Sequence, residues 1–147
     1  MSINLISDRI LLTIWVGGMW IVGYVVVPVL FKMLERKVAG SVAGQLFTIM
    51  SYIGLICGIL LLASMLYRSG FSSWLQWRVL VLIGMLIIIL ISQFVLQPMM
   101  AELKAAGLTD DVRAQFGRLH GISSMLFMFN SLAGLALVVF GLSTKQQ

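Results

Sequence analysis

Residues 79–101 read VLVLIGMLIIILISQFVLQPMMA, without one Asp, Glu, Lys or Arg. An α-helix of about 20 apolar residues crosses the roughly 30 Å hydrocarbon core of a bilayer. The run is long enough for that, and it lacks the alternation of polar and apolar positions that marks a barrel strand. Within lipid each backbone N–H and C=O must find its partner inside the segment, so a run like this one folds as a helix.

Working outward, 10–31, 38–67 and 119–144 are also free of charged residues. Of the 147 residues 61% are hydrophobic and 10% are charged, against about 25% charged in soluble domains. An ordinary soluble domain, a disordered chain and a disulfide-framed fold are excluded. The expected fold is all-α, an integral membrane four-helix bundle forming a single transmembrane domain over 1–147, with spans at 10–31, 44–67, 79–97 and 120–142.

The flanks refine these bounds. The small, uncharged stretch 38–43 lets the second helix begin ahead of Gly44. Pro98 kinks or ends the third, 99–106 can continue as a short helix, and Gly107 stops it. Thr109 has the character of an N-cap, with Asp110 and Asp111 in a first turn that runs on into span four. Phe71, Trp74 and Trp77 crowd the connection between spans two and three as an aromatic belt at the water boundary. Pro28 and Pro98 lie 70 positions apart, each near the end of an odd-numbered span. This suggests a 2+2 pseudo-repeat about an axis along the membrane normal.

The net charge of +5 does not signal nucleic acid. The basic residues flank the spans singly, with no basic stripe interleaved with aromatics. Four spans put both termini on one side. Arg9, Arg68, Arg78 and Lys145 fall on that side, and Lys32, Arg36, Lys37, Lys104, Arg113 and Arg118 on the other. The positive-inside rule then favours a cytoplasmic location for the 1–2 and 3–4 connections. The expected location is a bacterial inner membrane, with periplasmic termini and the first apolar block retained as a helix. Partners are the lipid bilayer and either a second copy or another membrane protein.

Uncharged polar residues inside the spans are where chemistry is to be sought. Tyr24, Gln45, Thr48, Gln93, Gln97, His120 and Ser124 fall at the ends of helices that share one membrane side, and facing inward they would form a polar pocket. The bland reading of the same residues is interhelical hydrogen bonding. Gly17, Gly54, Gly58 and Gly134 suit close helix packing. His120, the single histidine, is a candidate haem ligand or a hydrogen-bonding boundary residue. Cys57 is the single cysteine, so no disulfide within the chain and no cysteine metal cluster is expected. No carboxylate lies within a span, which removes paired-carboxylate catalysis and argues against an ion-driven pump. Catalytic residues, metal and a bound cofactor are not expected.

One longer pattern carries a resemblance. Trp15-Val16-Gly17-Gly18-Met19-Trp20, Val27-Pro28-Val29-Leu30-Phe31 and Gly44-Gln45-Leu46-Phe47 form one half. Leu96-Gln97-Pro98, then Phe116-Gly117-Arg118-Leu119-His120-Gly121-Ile122-Ser123-Ser124, form the other. Together they resemble the transmembrane-protein-205-like family of small four-span proteins. That resemblance implies a bacterial domain of unknown function, with a eukaryotic relative linked to platinum-drug resistance and a transport or trafficking role. A weaker similarity reaches copper-resistance D-like four-helix proteins, which use membrane histidines; the first three spans here have none. The sequence therefore supports a non-enzymatic membrane protein binding a small molecule, lipid or partner protein near one membrane face. The alternatives are a haem- or metal-associated redox protein, and a metal or drug efflux factor.

Overall fold

The computed structural model describes residues 3–69, 76–107 and 109–141. They form helices α1 (Ile3–Ile21), α2 (Val27–Met33), α3 (Arg36–Ser69), α4 (Trp77–Ile91), α5 (Gln97–Ala105) and α6 (Asp110–Gly141). A π-helical turn, Val22–Val26, joins α1 to α2, and a second, Ser92–Leu96, joins α4 to α5. The result is four continuous rods, Ile6–Met33, Arg36–Arg68, Trp77–Ala105 and Asp110–Gly141, each long and apolar enough to cross a membrane. They are longer than the spans expected from charge alone. The second begins at Arg36, the third runs through Pro98 to Ala105, and the fourth begins at Asp110. Gly107, at φ +90°, breaks the chain after α5, as a residue without a Cβ can do at little cost. Trp77 opens α4 with Arg78 over its ring at 5.9 Å; the Phe71 and Trp74 part of the expected aromatic belt lies outside the described residues.

Each proline explains the π turn that precedes it. A proline within a helix has no N–H to donate and its ring presses on the carbonyl four residues back. For Pro28 that carbonyl belongs to Tyr24, for Pro98 to Phe94. Widening the turn relieves the contact. The amide of Val27 bonds to the Val22 carbonyl and that of Gln97 to the Ser92 carbonyl, so both helices continue past the proline.

The four rods form a ring in which α1 packs on α3, α3 on α4, α4 on α6 and α6 on α1. The buried positions repeat. Leu12, Trp15, Val16 and Met19 of α1 correspond to Leu82, Met85, Leu86 and Ile89 of α4, at the same 70-position offset as the two prolines and the two π turns. In both helices the spacing places one face toward the core. Gly54, Gly58 and Leu61 of α3 match Asn130, Gly134 and Leu137 of α6 at an offset of 76 positions, all of them buried. The order of the ring and the repeated burial pattern match a pseudo-twofold arrangement of the two halves.

The outer surface is apolar. Ile56, Ile59 and Leu60 of α3, Leu80, Ile87 and Leu90 of α4, and Leu132, Val139 and Phe140 of α6 are all exposed. Contiguous apolar surface of this extent is not stable in water. With four spanning rods it makes the chain an integral membrane protein. At one rim Arg68 pairs with Asp8, tying the end of α3 to the start of α1.

Candidate functional site

The polar residues expected to meet in one central pocket do not do so. At their depth the half-buried side chains of Phe47 and Phe127 meet across the ring. Phe127 of α6 and Phe47 of α3 meet edge to face at 5.1 Å, and Tyr24 lies 6.0 Å from Phe127. A Cβ on Gly23 would come within 2.4 Å of the Phe127 ring. The bulk of that ring therefore presses against bare backbone in the first π turn. The polar groups lie in three separate places.

The first is a groove between α3 and α5. Gly40, Ser41, Gly44, Gln45, Thr48 and Ile49 line one wall and Gln97 and Lys104 the other, around an open volume of about 470 Å³. Three of the expected residues, Gln45, Thr48 and Gln97, are here. Thr48 Oγ1 donates to the Gly44 carbonyl at 3.0 Å, which uses its proton and leaves its lone pairs to accept. A Cβ on Gly40 or Gly44 would meet nothing within 4 Å, so the volume in front of α3 is open. Gln93 is a turn deeper, in the second π turn, and its Oε1 is buried without a partner among the described residues.

The second place is the seam between α1 and α6. Tyr24 Oη and Ser131 Oγ are 2.8 Å apart. Ser131 Oγ itself donates to the Met128 carbonyl at 2.9 Å, so Tyr24 is the donor in the pair. Trp20 Nε1 donates to the Ser131 carbonyl at 3.3 Å, and the rings of Trp20 and Tyr24 lie 4.8 Å apart. Each polar end of these two aromatics is therefore satisfied within lipid. Tyr24 is an element of helix packing in this arrangement. Asn130, a residue earlier, donates to Met19 Sδ at 3.5 Å, a weak bond. Among the described residues its Oδ1 has no partner, and neither does the indole nitrogen of Trp15.

The third place is the outer face of α6. His120 is exposed and stacks on Phe116 with ring centroids 6.1 Å apart. Ser124 Oγ donates to the His120 carbonyl at 2.9 Å, within its own helix. The pseudo-twofold explains the separation. It carries Gly44 to His120 and Thr48 to Ser124, so these two hold positions on α6 that correspond to groove positions on α3, and neither of them lines the groove. Among the described residues no three His, Cys, Asp or Glu side chains come together to hold a metal ion.

Of the four glycines expected to pack, three touch neighbouring helices. A Cβ at Gly54 would meet Trp15 Nε1 at 2.6 Å, one at Gly58 would meet Leu86 at 2.6 Å, and one at Gly134 would meet Val16 at 2.9 Å. Gly17 is different: a Cβ there meets nothing within 4 Å. It borders an apolar crevice of about 310 Å³ between α1 and α6 instead.

A family model described as a domain of unknown function (DUF4149) matches residues 10–109. The chain belongs to that family. The matched part of this DUF4149 chain covers α1 to α5, both π turns and both walls of the groove, and ends ahead of His120. No curated protein and no solved structure matches the chain. Sequence reasoning alone missed the two other polar groove residues. Lys104 enters the sequence reading only as a marker of topology, and Ser41 only as part of the small, uncharged stretch that lets the second helix begin early. The available signal was the helical spacing of Ser41, Gln45 and Thr48, which puts all three on one face.

Proposed function

We propose that this DUF4149 protein is a non-enzymatic protein of the bacterial inner membrane. It binds a small amphiphile in the groove between α3 and α5, near the cytoplasmic face, with both termini periplasmic. The observation that carries this reading is the groove itself. Two amides, two hydroxyls and an ammonium group line an open volume on the flank of a bundle that exposes many large apolar side chains. Polar side chains at such depth are costly unless something pairs with them. Gln45 and Gln97 make no hydrogen bond to the protein among the described residues. The resemblance to the transmembrane-protein-205-like group supports the same reading, since what it implies is a transport or trafficking role.

Extraction of bound molecules tests it. The protein is purified in mild detergent, and the molecules carried by wild type are compared with those carried by Thr48→Trp, in which an indole fills the groove. An amphiphile present near one per chain in wild type and depleted in Thr48→Trp is expected. The same molecules in the same amounts in both proteins would refute the reading.

A further inference from the structure

The chemistry of the groove points beyond a generic amphiphile. Building on the proposed function, we infer that its occupant is an anionic glycerophospholipid, with the headgroup phosphate against Lys104, Ser41 and Gln45 and the glycerol esters beside Thr48 and Gln97.

Lys104 is the one charged residue lining the groove, and no carboxylate lines it. Among the described residues it has no acidic partner within 4 Å. Its Nζ sits 5.4 Å from the centre of the Phe116 ring. A contact with a ring face holds an ammonium group in place without neutralising its charge. Arg36 and Lys37 precede Gly40 and Ser41 by one turn on α3, so the same face continues outward with two more cations. A phosphate is attracted to such a mouth, and a choline ammonium beside that phosphate is repelled by it.

Depth supplies the second line. Helices α3 and α5 run antiparallel, which sets Lys104 level with Gly40 and Ser41 and sets Gln97 level with Thr48 and Ile49. Gln97 and Lys104 are separated by about 10 Å along the axis, at 1.5 Å per residue. The headgroup layer of a bilayer is about 5–7 Å deep on each side of the hydrocarbon. A groove of that length is long enough to cross such a layer. Its lining is graded along that length: ammonium and hydroxyl outermost, amides and a threonine next, and Ile49 innermost. The polarity of a phospholipid runs in that sequence from phosphate through esters to acyl chain. The open glycines, Gly40 and Gly44, let the headgroup approach the backbone of α3 closely.

Native mass spectrometry of the full chain, released from micelles with phosphatidylglycerol or phosphatidylcholine added at equal concentration, tests the inference. One phosphatidylglycerol retained at least fivefold more than phosphatidylcholine is expected. Lys104→Gln should remove that preference. Arg113→Gln, which removes one positive charge outside the groove, should keep it, and a preference lost equally in both variants would mean surface charge alone and overturn the inference. Ser41→Ala, a smaller change, should weaken retention about twofold or more while leaving the circular dichroism spectrum intact. Equal retention of the two lipids, with both lost in Thr48→Trp, would overturn the headgroup assignment and leave the groove reading standing. Retention unaffected by Thr48→Trp would overturn both. Displacement of the lipid by millimolar inorganic phosphate would show the site to be one for free phosphate, and would overturn the lipid assignment too.

Discussion

Gly58 and Gly134 meet the same pair of positions from opposite sides of the bundle. A Cβ on Gly58 would lie 2.6 Å from Leu86 and 3.2 Å from Trp15; one on Gly134 would lie 2.9 Å from Val16 and 3.2 Å from Met85. Val16 and Leu86 are equivalent under the pseudo-twofold, as are Trp15 and Met85. The symmetry of the fold therefore extends from its helices to individual contacts.

Packing at these glycines can be told apart from glycine content in general. Gly54 faces the indole of Trp15, which is fully buried and cannot swing aside. Gly54→Ala should cost about 1–3 kcal/mol, the usual range for overpacking. Gly17→Ala adds a methyl to open space and removes a poor helix former, so it should be neutral or stabilising by up to about 1 kcal/mol. Thermal unfolding in one detergent checks both signs. Equal shifts for the two variants would contradict the contacts described.

The hydrogen bond from Tyr24 to Ser131 links the first π turn to α6. Removing either partner by Tyr24→Phe or Ser131→Ala should lower stability, and the double variant should lose less than the sum. The expected coupling is about 0.6–1.7 kcal/mol, the scale found for interhelical bonds in membranes. A double-mutant cycle gives the value directly, and zero coupling would place Tyr24 outside the helix interface.

Pro98 sets the orientation of α5. Restoring an N–H with Pro98→Ala lets the turn Ser92–Leu96 relax toward α-helix. The chain beyond it would then rotate by about 100°, the angle per residue at 3.6 residues per turn. Gln97 and Lys104 would leave the groove, so lipid retention should fall although no groove residue has changed. A pair of spin labels on α3 and α5 reads the rotation as a distance change. Unaltered distances and unaltered retention would contradict this role for the proline.

Orientation is tested by a Gln147→Cys variant in intact cells. A membrane-impermeant maleimide should label it from outside, as periplasmic termini require. Failure to label, beside a periplasmic control that labels, would reverse the topology and move the groove to the other face.

Much of the fold was legible because charge is expensive in lipid: four runs without Asp, Glu, Lys or Arg marked four helices. The repeat was legible in Pro28 and Pro98, although so few residues are identical between the halves. The identity lies in which positions face inward, as with Trp15 and Met85, and not in what occupies them. The site was legible in part. Gln45, Thr48 and Gln97 share a depth, and depth can be read from position along a span. The side of the bundle cannot, because it depends on rotation about each helix axis and on how the helices assemble. His120 and Ser124 fall at a similar depth along their span, yet neither lines the groove. The Phe47–Phe127 contact across the ring was hidden for the same reason, since two phenylalanines in two apolar spans carry no mark of meeting.

The central claim, that the polar groove on one side of a pseudo-symmetric bundle is the ligand site, is tested most directly by a thiol placed within it. In a Cys57→Ala background, Thr48→Cys and its pseudo-equivalent Ser124→Cys are labelled with a water-soluble maleimide, with and without added phosphatidylglycerol. Lipid should slow labelling at position 48 about tenfold and leave position 124 within about twofold, each fold-change read on the scale of 1.4 kcal/mol per tenfold. Equal protection at both positions, or protection at neither, would contradict the account.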